Sequence, residues 1–469
     1  MRYIKAAGAA PARVVWSASD LKAAAECEFA WLRAIDAKLG RAAAVDDPAD
    51  ATLERAARLG TVHERRVLER YRARFAGAVV EIPETRSGDA AGMADAVART
   101  LAALADPAVA VVYQAAFQTD EFVGFADFLL REERTGDWIV QDTKLARHAR
   151  VTALMQLAAY VDQLDRARVP RAETVELLLG DGTTSRHRAD DLLPVFRLRR
   201  RRLRALIADR RVDLGAEGEP AAWGDDRGEL AVLACGRCPT CEQEATRSRD
   251  LLLVAGLRPA QRRALRAAGI RSIDDLAAAE APAGLREETF AGLRAQARLQ
   301  LASPEGAPAY EVALPVALAA LPRRDPGDLF FDFEGDPLYT EGEGGRWNLD
   351  YLFGWVDAAG RYSTLWAHDF DAERQALERF VDMVTLRRAA HPGLHVYHYA
   401  PYEPSHLLAM AARHGTREAE VDRLLREGVF VDLYPIVRRA LRVGSRSYSI
   451  KKLEPLYLGG DGRPSDVRR

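Results

Sequence analysis

Two stretches, Gly124-Phe125-Ala126-Asp127-Phe128-Leu129-Leu130 and Trp138-Ile139-Val140-Gln141-Asp142-Thr143-Lys144, decide the reading of this chain. Both are apolar enough to be strands, and each carries an acid. Side chains alternate across a strand, so Asp142 and Lys144, two apart, share a face. Two carboxylates converging from adjacent strands can hold Mg²⁺ or Mn²⁺ through oxygen. Such an ion polarises a phosphate and lowers the pKa of a bound water. The Lys144 ammonium can then orient that water and offset charge building on the phosphate. An acid-x-Lys pair alone is common on exposed strands, so its surroundings carry the weight.

Working outward, residues 19–39 and 51–75 have helical apolar spacing and many Ala, Leu, Glu and Arg. Strand-like runs follow at 78–82, 108–117, 121–131 and 138–142, the second and third pairing as a hairpin. A helix is predicted over 152–166, a strand over 174–179 and a strongly basic helix around 193–211. Gly60-Thr61-Val62-His63-Glu64 lies on the 51–75 helix. Gln156 and Tyr160, four apart, share one face of the 152–166 helix.

These five elements, in this order, resemble the RecB-like branch of the PD-(D/E)xK nucleases, which includes the nuclease domains of RecB and AddB and the CRISPR-associated RecB-like exonucleases. The resemblance implies a restriction-endonuclease-like α/β domain. It implies metal ligation by His63, Asp127, Asp142 and the backbone carbonyl of Thr143. It also implies catalytic work for Asp127, Asp142 and Lys144, with Gln156 and Tyr160 near the DNA phosphates. Asp142 stands where that branch also often has Glu.

Cys27, Cys235, Cys238 and Cys241 are the chain's only cysteines. The start of the sequence lacks the apolar core of a signal peptide, and no window is apolar enough to span a membrane. A cytoplasmic protein is expected, in which thiols serve as metal ligands more readily than as disulfides. One distant cysteine before the acidic motifs and three clustered after them resemble the iron–sulfur staple of AddB and the CRISPR-associated exonucleases. That resemblance implies a [4Fe–4S] cluster. The close spacing of the last two departs from the family pattern, and Zn²⁺ on the same four thiolates is the alternative.

At 469 residues the chain exceeds a single hydrophobic core, so at least two domains are expected. Its net charge of -2 gives no global basic bias, so nucleic-acid contacts must come from local patches. The densest is FRLRRRRLR at 196–204, where Arg199, Arg200 and Arg201 could track a phosphate backbone or form a solvated helix face. Residues 251–279 read as two short helices joined at Gly269, with Ser272 and Asp275 as a capping box. This resembles a helix–hairpin–helix element, whose hairpin amides bind phosphate without reading sequence.

From residue 328 the strand pattern restarts with LFFDFEGD, which puts Asp332 and Glu334 on one strand face. With Glu403 after LHVYHY and Asp432 in FVDLYPIV, this resembles the DEDD-type exonucleases of the RNase H-like fold, specifically the YprB-like group. Glu403 stands where that group usually has Asp. The group's final acidic helix would follow 448–456, where this sequence has the polar tail GGDGRPSDVRR, so this domain is expected to be C-terminally incomplete. The expected organisation is a nuclease domain over 1–230, a cysteine cluster over 231–245, a helical segment over 246–302 and a YprB-like domain over 326–469. The whole resembles a family of RecB-like nucleases whose longer members continue into a superfamily-one helicase, which is therefore an implied partner. This sequence has no G-x-x-x-x-G-K-[ST] motif of its own. The expected activity is metal-dependent hydrolysis of DNA, at single strands or ends, in repair or recombination. The alternatives are an RNase or 3′–5′ exonuclease working through the C-terminal acids, and a non-catalytic DNA-binding scaffold for a helicase.

Overall fold

The computed structural model describes residues 1–4, 12–45, 50–86, 89–225, 227–282, 284–304, 306–342 and 346–458. It divides into two compact units, one covering Met1–Glu244 and the other starting at Ala245.

In the first unit, β1 (Arg2–Ile4) pairs antiparallel with β2 (Arg13–Val15). Ser17 then starts α1 (Ala18–Glu26) through a capping box with Asp20. Cys27 ends that helix in extended backbone and caps α2 (Glu28–Leu39), its Sγ accepting from the Ala30 amide. The single helix expected over 19–39 is therefore two, broken at the cysteine. Asp50 caps α3 (Ala51–Phe75). The chain continues through β3 (Val79–Glu81), α4 (Ala90–Ala105), β4 (Val111–Gln118), β5 (Val123–Arg131) and β6 (Trp138–Lys144). It then forms α5 (Val151–Ala167), β7 (Thr174–Leu179), β8 (Thr184–Arg188), α6 (Ala189–Asp209) and α7 (Pro239–Arg247).

The sheet order is β3-β4-β5-β6-β7-β8. The pairs β4–β5, β5–β6 and β7–β8 are antiparallel, while β3–β4 and β6–β7 are parallel. The parallel pairs are joined by the crossover helices α4 and α5, as parallel strands require. β6 is buried from Trp138 through Thr143, which explains its continuous apolar run. The β5–β6 ladder ends at Phe128↔Gln141, whereas β6–β7 pairing runs on to Lys144↔Leu179. Past Gln141 the two acid-bearing strands thus part, and the gap between them is where the site forms.

In the second unit, α8 (Pro259–Ala267), α9 (Ile273–Ala278) and α10 (Glu287–Ala302) close on a small core of Leu265, Leu276, Phe290 and Ala297. Gly269 follows α8 at φ +86°, a conformation glycine adopts without strain, and Ser272 caps α9 in the expected box with Asp275. After β9 (Tyr310–Val312) come β10 (Leu329–Glu341), β11 (Arg346–Asp357), β12 (Tyr362–Trp366), α11 (Phe370–Ala390) and β13 (Val396–His398). The unit continues with α12 (Tyr402–His414), α13 (Glu418–Arg426), β14 (Phe430–Asp432), α14 (Leu433–Ala440) and β15 (Leu441–Val443). The main sheet has the order β12-β11-β10-β13-β14, antiparallel over the first three strands and parallel over the last three. Along β10, Leu329, Phe331 and Phe333 are buried against α11, α12 and α13, while Phe330 and Asp332 are exposed. The polar tail from 459 on, where the sequence reading looks for a final acidic helix, lies outside the described residues.

Candidate active site

Where β5 and β6 part, the Thr143 amide loses its strand partner on that side, and the Asp127 carboxylate takes its place. Asp127 Oδ2 accepts from the Thr143 amide at 2.9 Å and from the Thr143 hydroxyl at 2.8 Å. Asp142, one residue back, is only 6 % exposed. Its Oδ2 is ion-paired with the Lys144 ammonium, as the shared strand face predicts. Burial, reinforced by the neighbouring Asp127 carboxylate, pushes the Asp142 carboxyl up to about 7, with Lys144 pulling the other way. Two acids pressed together with one cation are an arrangement that a divalent ion would relieve.

α3 brings two side chains to this region. The His63 Nε2–H donates to the Leu178 carbonyl on β7 at 3.0 Å, leaving Nδ1 for a ligand. Leu178 pairs with Thr143, so the imidazole is tethered one strand away from the acids. Among the described residues, only the four cysteines form a group of three or more His, Cys, Asp or Glu with all ligand atoms within 4.8 Å of one another. For His63, Asp127 and Asp142 to share an ion, their ligand atoms must therefore draw closer together, and Lys144 must leave the Asp142 oxygen it holds.

The second side chain, Glu64, carries no role in the sequence reading. It accepts from Tyr113 Oη at 2.8 Å and from Gln114 Nε2 at 2.7 Å, and both donors reach Oε1. Burial raises its pKa, and the Asp127 charge adds to that rise. The only sequence signal for Glu64 is its place beside His63.

On α5, Gln156 Oε1 is enclosed without a hydrogen-bond partner among the described residues. Tyr160 packs edge-on against Phe122, and burial with the charges of Asp127 and Asp142 raises its pKa. A Cβ on Gly124 would lie 3.0 Å from the Tyr160 hydroxyl, so the glycine three residues before Asp127 makes room for this ring.

The four cysteines meet although Cys27 is far from the others in sequence. Their Sγ separations are 3.5 Å for Cys27–Cys241 and 3.9 Å for both Cys235–Cys241 and Cys27–Cys238. The Cys27 thiol is drawn down to about 5 by its hydrogen bond with Cys241, helped by the Cys235 and Ala30 amides. The Cys235 sulfur likewise accepts from the Arg237 and Cys238 amides. A tetrahedral ion with metal–sulfur bonds of about 2.3 Å spaces its thiolates about 3.8 Å apart, close to what is observed. A four-iron cubane sets a larger core between the same thiolates, and the 235–241 loop would have to open to take it.

The basic run on α6 splits in two. Arg199 and Arg201 are exposed. Arg200, by contrast, is largely covered and pairs at 2.6 Å with Asp162, a carboxylate it shares with Arg166. Arg202 grips Glu28, and Arg204 pairs with Glu121. Gly269 is exposed at its turn in the second unit.

In that unit a cavity of about 430 Å³ is lined by Asp332, Glu334, Glu403 and His398 among others. Asp432 does not line it. Instead its carboxylate accepts from the Ala400 and Tyr434 amides and caps α14. His398, absent from the sequence reading, lies 3.2 Å from Glu403. Burial alone would lower the His398 pKa, but the Glu403 carboxylate and the Ala400 carbonyl hold it above the ordinary value.

Comparison with known families agrees with both folds. The model of the PD-(D/E)XK nuclease superfamily matches residues 15–242, and that of the RNase H superfamily matches residues 329–468. A search of curated proteins returns no match. The chain thus carries a PD-(D/E)XK domain followed by an RNase H-like domain, both nuclease-type folds. No helix among the described residues is long and apolar enough to cross a membrane.

Proposed function

We propose that the N-terminal unit is a metal-dependent, RecB-like DNA nuclease of the cytoplasm, acting on single strands or ends in repair or recombination. The observation that carries this reading is the contact set Asp127–Thr143 and Asp142–Lys144 in the gap between β5 and β6. Asp127, Asp142, the Thr143 carbonyl and His63 Nδ1 would hold Mg²⁺ or Mn²⁺. When bound, the ion polarises the phosphodiester and acidifies a water. Lys144 orients that water and offsets charge on the phosphate. The enclosed Gln156 oxygen, without a partner among the described residues, would accept from a buried water, and Tyr160 packs α5 against Phe122 just before β5. Arg199, Arg201 and the Gly269 turn are the exposed groups that would meet phosphates, with a superfamily-one helicase as the separate partner that feeds the strand. The test is cleavage of labelled single- and double-stranded DNA and RNA with Mg²⁺ or Mn²⁺. Wild type should cut DNA, and Asp142→Ala or Lys144→Ala should lose at least about a hundredfold in rate. Retained cleavage in both variants refutes the assignment.

The thiolate quartet is a structural metal centre tying α1 and α2 to the end of the same domain. Iron and sulfide with absorbance near roughly 400 nm mark a [4Fe–4S] cluster, whereas one zinc per chain marks the single ion.

One observation favours a second reading, in which the RNase H-like domain is itself an RNase or 3′–5′ exonuclease. Three acids share one cavity there. That activity would survive Lys144→Ala and be lost with Asp332→Ala.

A further inference from the structure

Lys144 poses a problem for the proposed site, because its ammonium occupies the Asp142 oxygen that a cation would need. Both carry out their proposed roles only if the ammonium moves when the ion arrives, and it then needs an anionic partner close by. Asp127 cannot serve, since it is needed by the same ion and already accepts from Thr143.

Glu64 fits this requirement. The register on either side of Gln114, Tyr113↔Phe128 and Ala115↔Ala126, sets Gln114 opposite Asp127 on the neighbouring strand. Gln114 adopts φ +54°, a left-handed conformation that costs a non-glycine residue energy and persists where the surroundings enforce it. From that position its Nε2 and the adjacent Tyr113 hydroxyl clamp Glu64 through Oε1 alone. Oε2 has no hydrogen-bond partner among the described residues. Glu64 is close enough to both Asp127 and Lys144 for their charges to act on it. The clamp fixes the carboxylate through one oxygen and leaves the other without a hydrogen-bond partner among the described residues.

We infer that Glu64 is a positioning residue: its open Oε2 receives the Lys144 ammonium when a divalent cation displaces it from Asp142. The handover keeps the lysine charged and next to the attacked phosphate instead of expelling it to solvent. It also removes a competitor from the cation's ligand. This inference rests on the reading of Asp127 and Asp142 as cation ligands.

The test is calorimetric titration of the full chain with MgCl₂ and MnCl₂, without nucleic acid, in a double-mutant cycle. Lys144→Ala should tighten cation binding, because the competing ammonium is gone. Glu64→Gln, nearly isosteric, should weaken binding roughly five- to tenfold while Lys144 is present, the size of coupling expected between neighbouring charges. In the Lys144→Ala background the same substitution should change nothing. Gln114→Met with Tyr113→Phe, which keeps Glu64 but releases its clamp, should shift binding in the same direction by less. Equal weakening by Glu64→Gln in both backgrounds makes Glu64 a ligand of the ion and overturns the handover, and no effect in either background overturns it too. All titrations carry Asp332→Ala to silence the other acid cluster, and cation binding that survives Asp142→Ala in that background instead sinks the underlying assignment of the acids.

Discussion

At the scale of single residues, Asp142 sets the pH behaviour of the site. Its folded pKa is raised from 3.8 to about 7, so over that window the folded chain holds a proton that the unfolded chain has released. Stability of the metal-free protein therefore contains a contribution that falls as pH rises through the window and is fully lost above about 7. Asp142→Asn should remove this contribution, so its unfolding midpoint should gain on wild type between about pH 4 and about pH 7 and stay level above that. A constant difference between the two proteins contradicts the assignment. Cation binding should strengthen over the same range and release a proton, measurable in buffers of different ionisation heat. Gly124→Ala should cost about 1–3 kcal/mol in denaturant unfolding through overpacking against Tyr160, and Tyr160→Phe should restore part of it. The acid-x-Lys pair was legible because strand alternation alone puts Asp142 and Lys144 on one face. Glu64 was not, since only its place beside His63 separates it from the other acids on a helix reading ERAARLGTVHERRVLERYR. Its distinction comes from Tyr113 and Gln114, which approach only through the sheet. The Arg200–Asp162 pair was not legible for the converse reason, because Asp162 lies on another helix.

At the scale of elements, the break at Cys27 matters most. Both sides of it have helical composition, and a cysteine within a helical pattern gives no stop signal, so one helix was predicted where two exist. The capping bond to the Ala30 amide is local, but the Cys235 amide and the Cys241 sulfur reach Cys27 only once residues 231–241 fold back. That return is fastened by Arg202, which pairs with Glu28 at 2.7 Å and donates to the Ala231 carbonyl at 2.6 Å, while the Leu233 amide also reaches Glu28 at 3.0 Å. Arg202→Ala should therefore loosen the loop and speed loss of the bound metal to a chelator, read as metal content against time. Unchanged release would show that the thiolates alone hold the loop. β8 also escaped the sequence reading, since TSRHR has no apolar alternation and pairs only at the sheet edge, and so did α4. The strands that carry the acids were found because they are central and apolar.

At the scale of the whole molecule, the restart of the strand pattern near residue 328 made a second α/β fold legible. The enclosure of Asp332, Glu334 and Glu403 in one cavity, with Asp432 outside it, was not, because cavity shape is tertiary. The net charge of -2 leaves nucleic-acid affinity to local basic patches. Replacing Arg199 and Arg201 with Ala should weaken DNA binding and lower its salt slope by about two, one per lost phosphate contact. Arg200→Ala should instead lower stability and leave the slope unchanged. The most direct test of the central claim is diffraction from crystals soaked in Mn²⁺, using the metal's anomalous signal. The account predicts a peak bonded to both Asp127 and Asp142, with Lys144 moved off Asp142. A fully occupied Mn²⁺ elsewhere, with Lys144 still on Asp142 and no peak between the two acids, would contradict it.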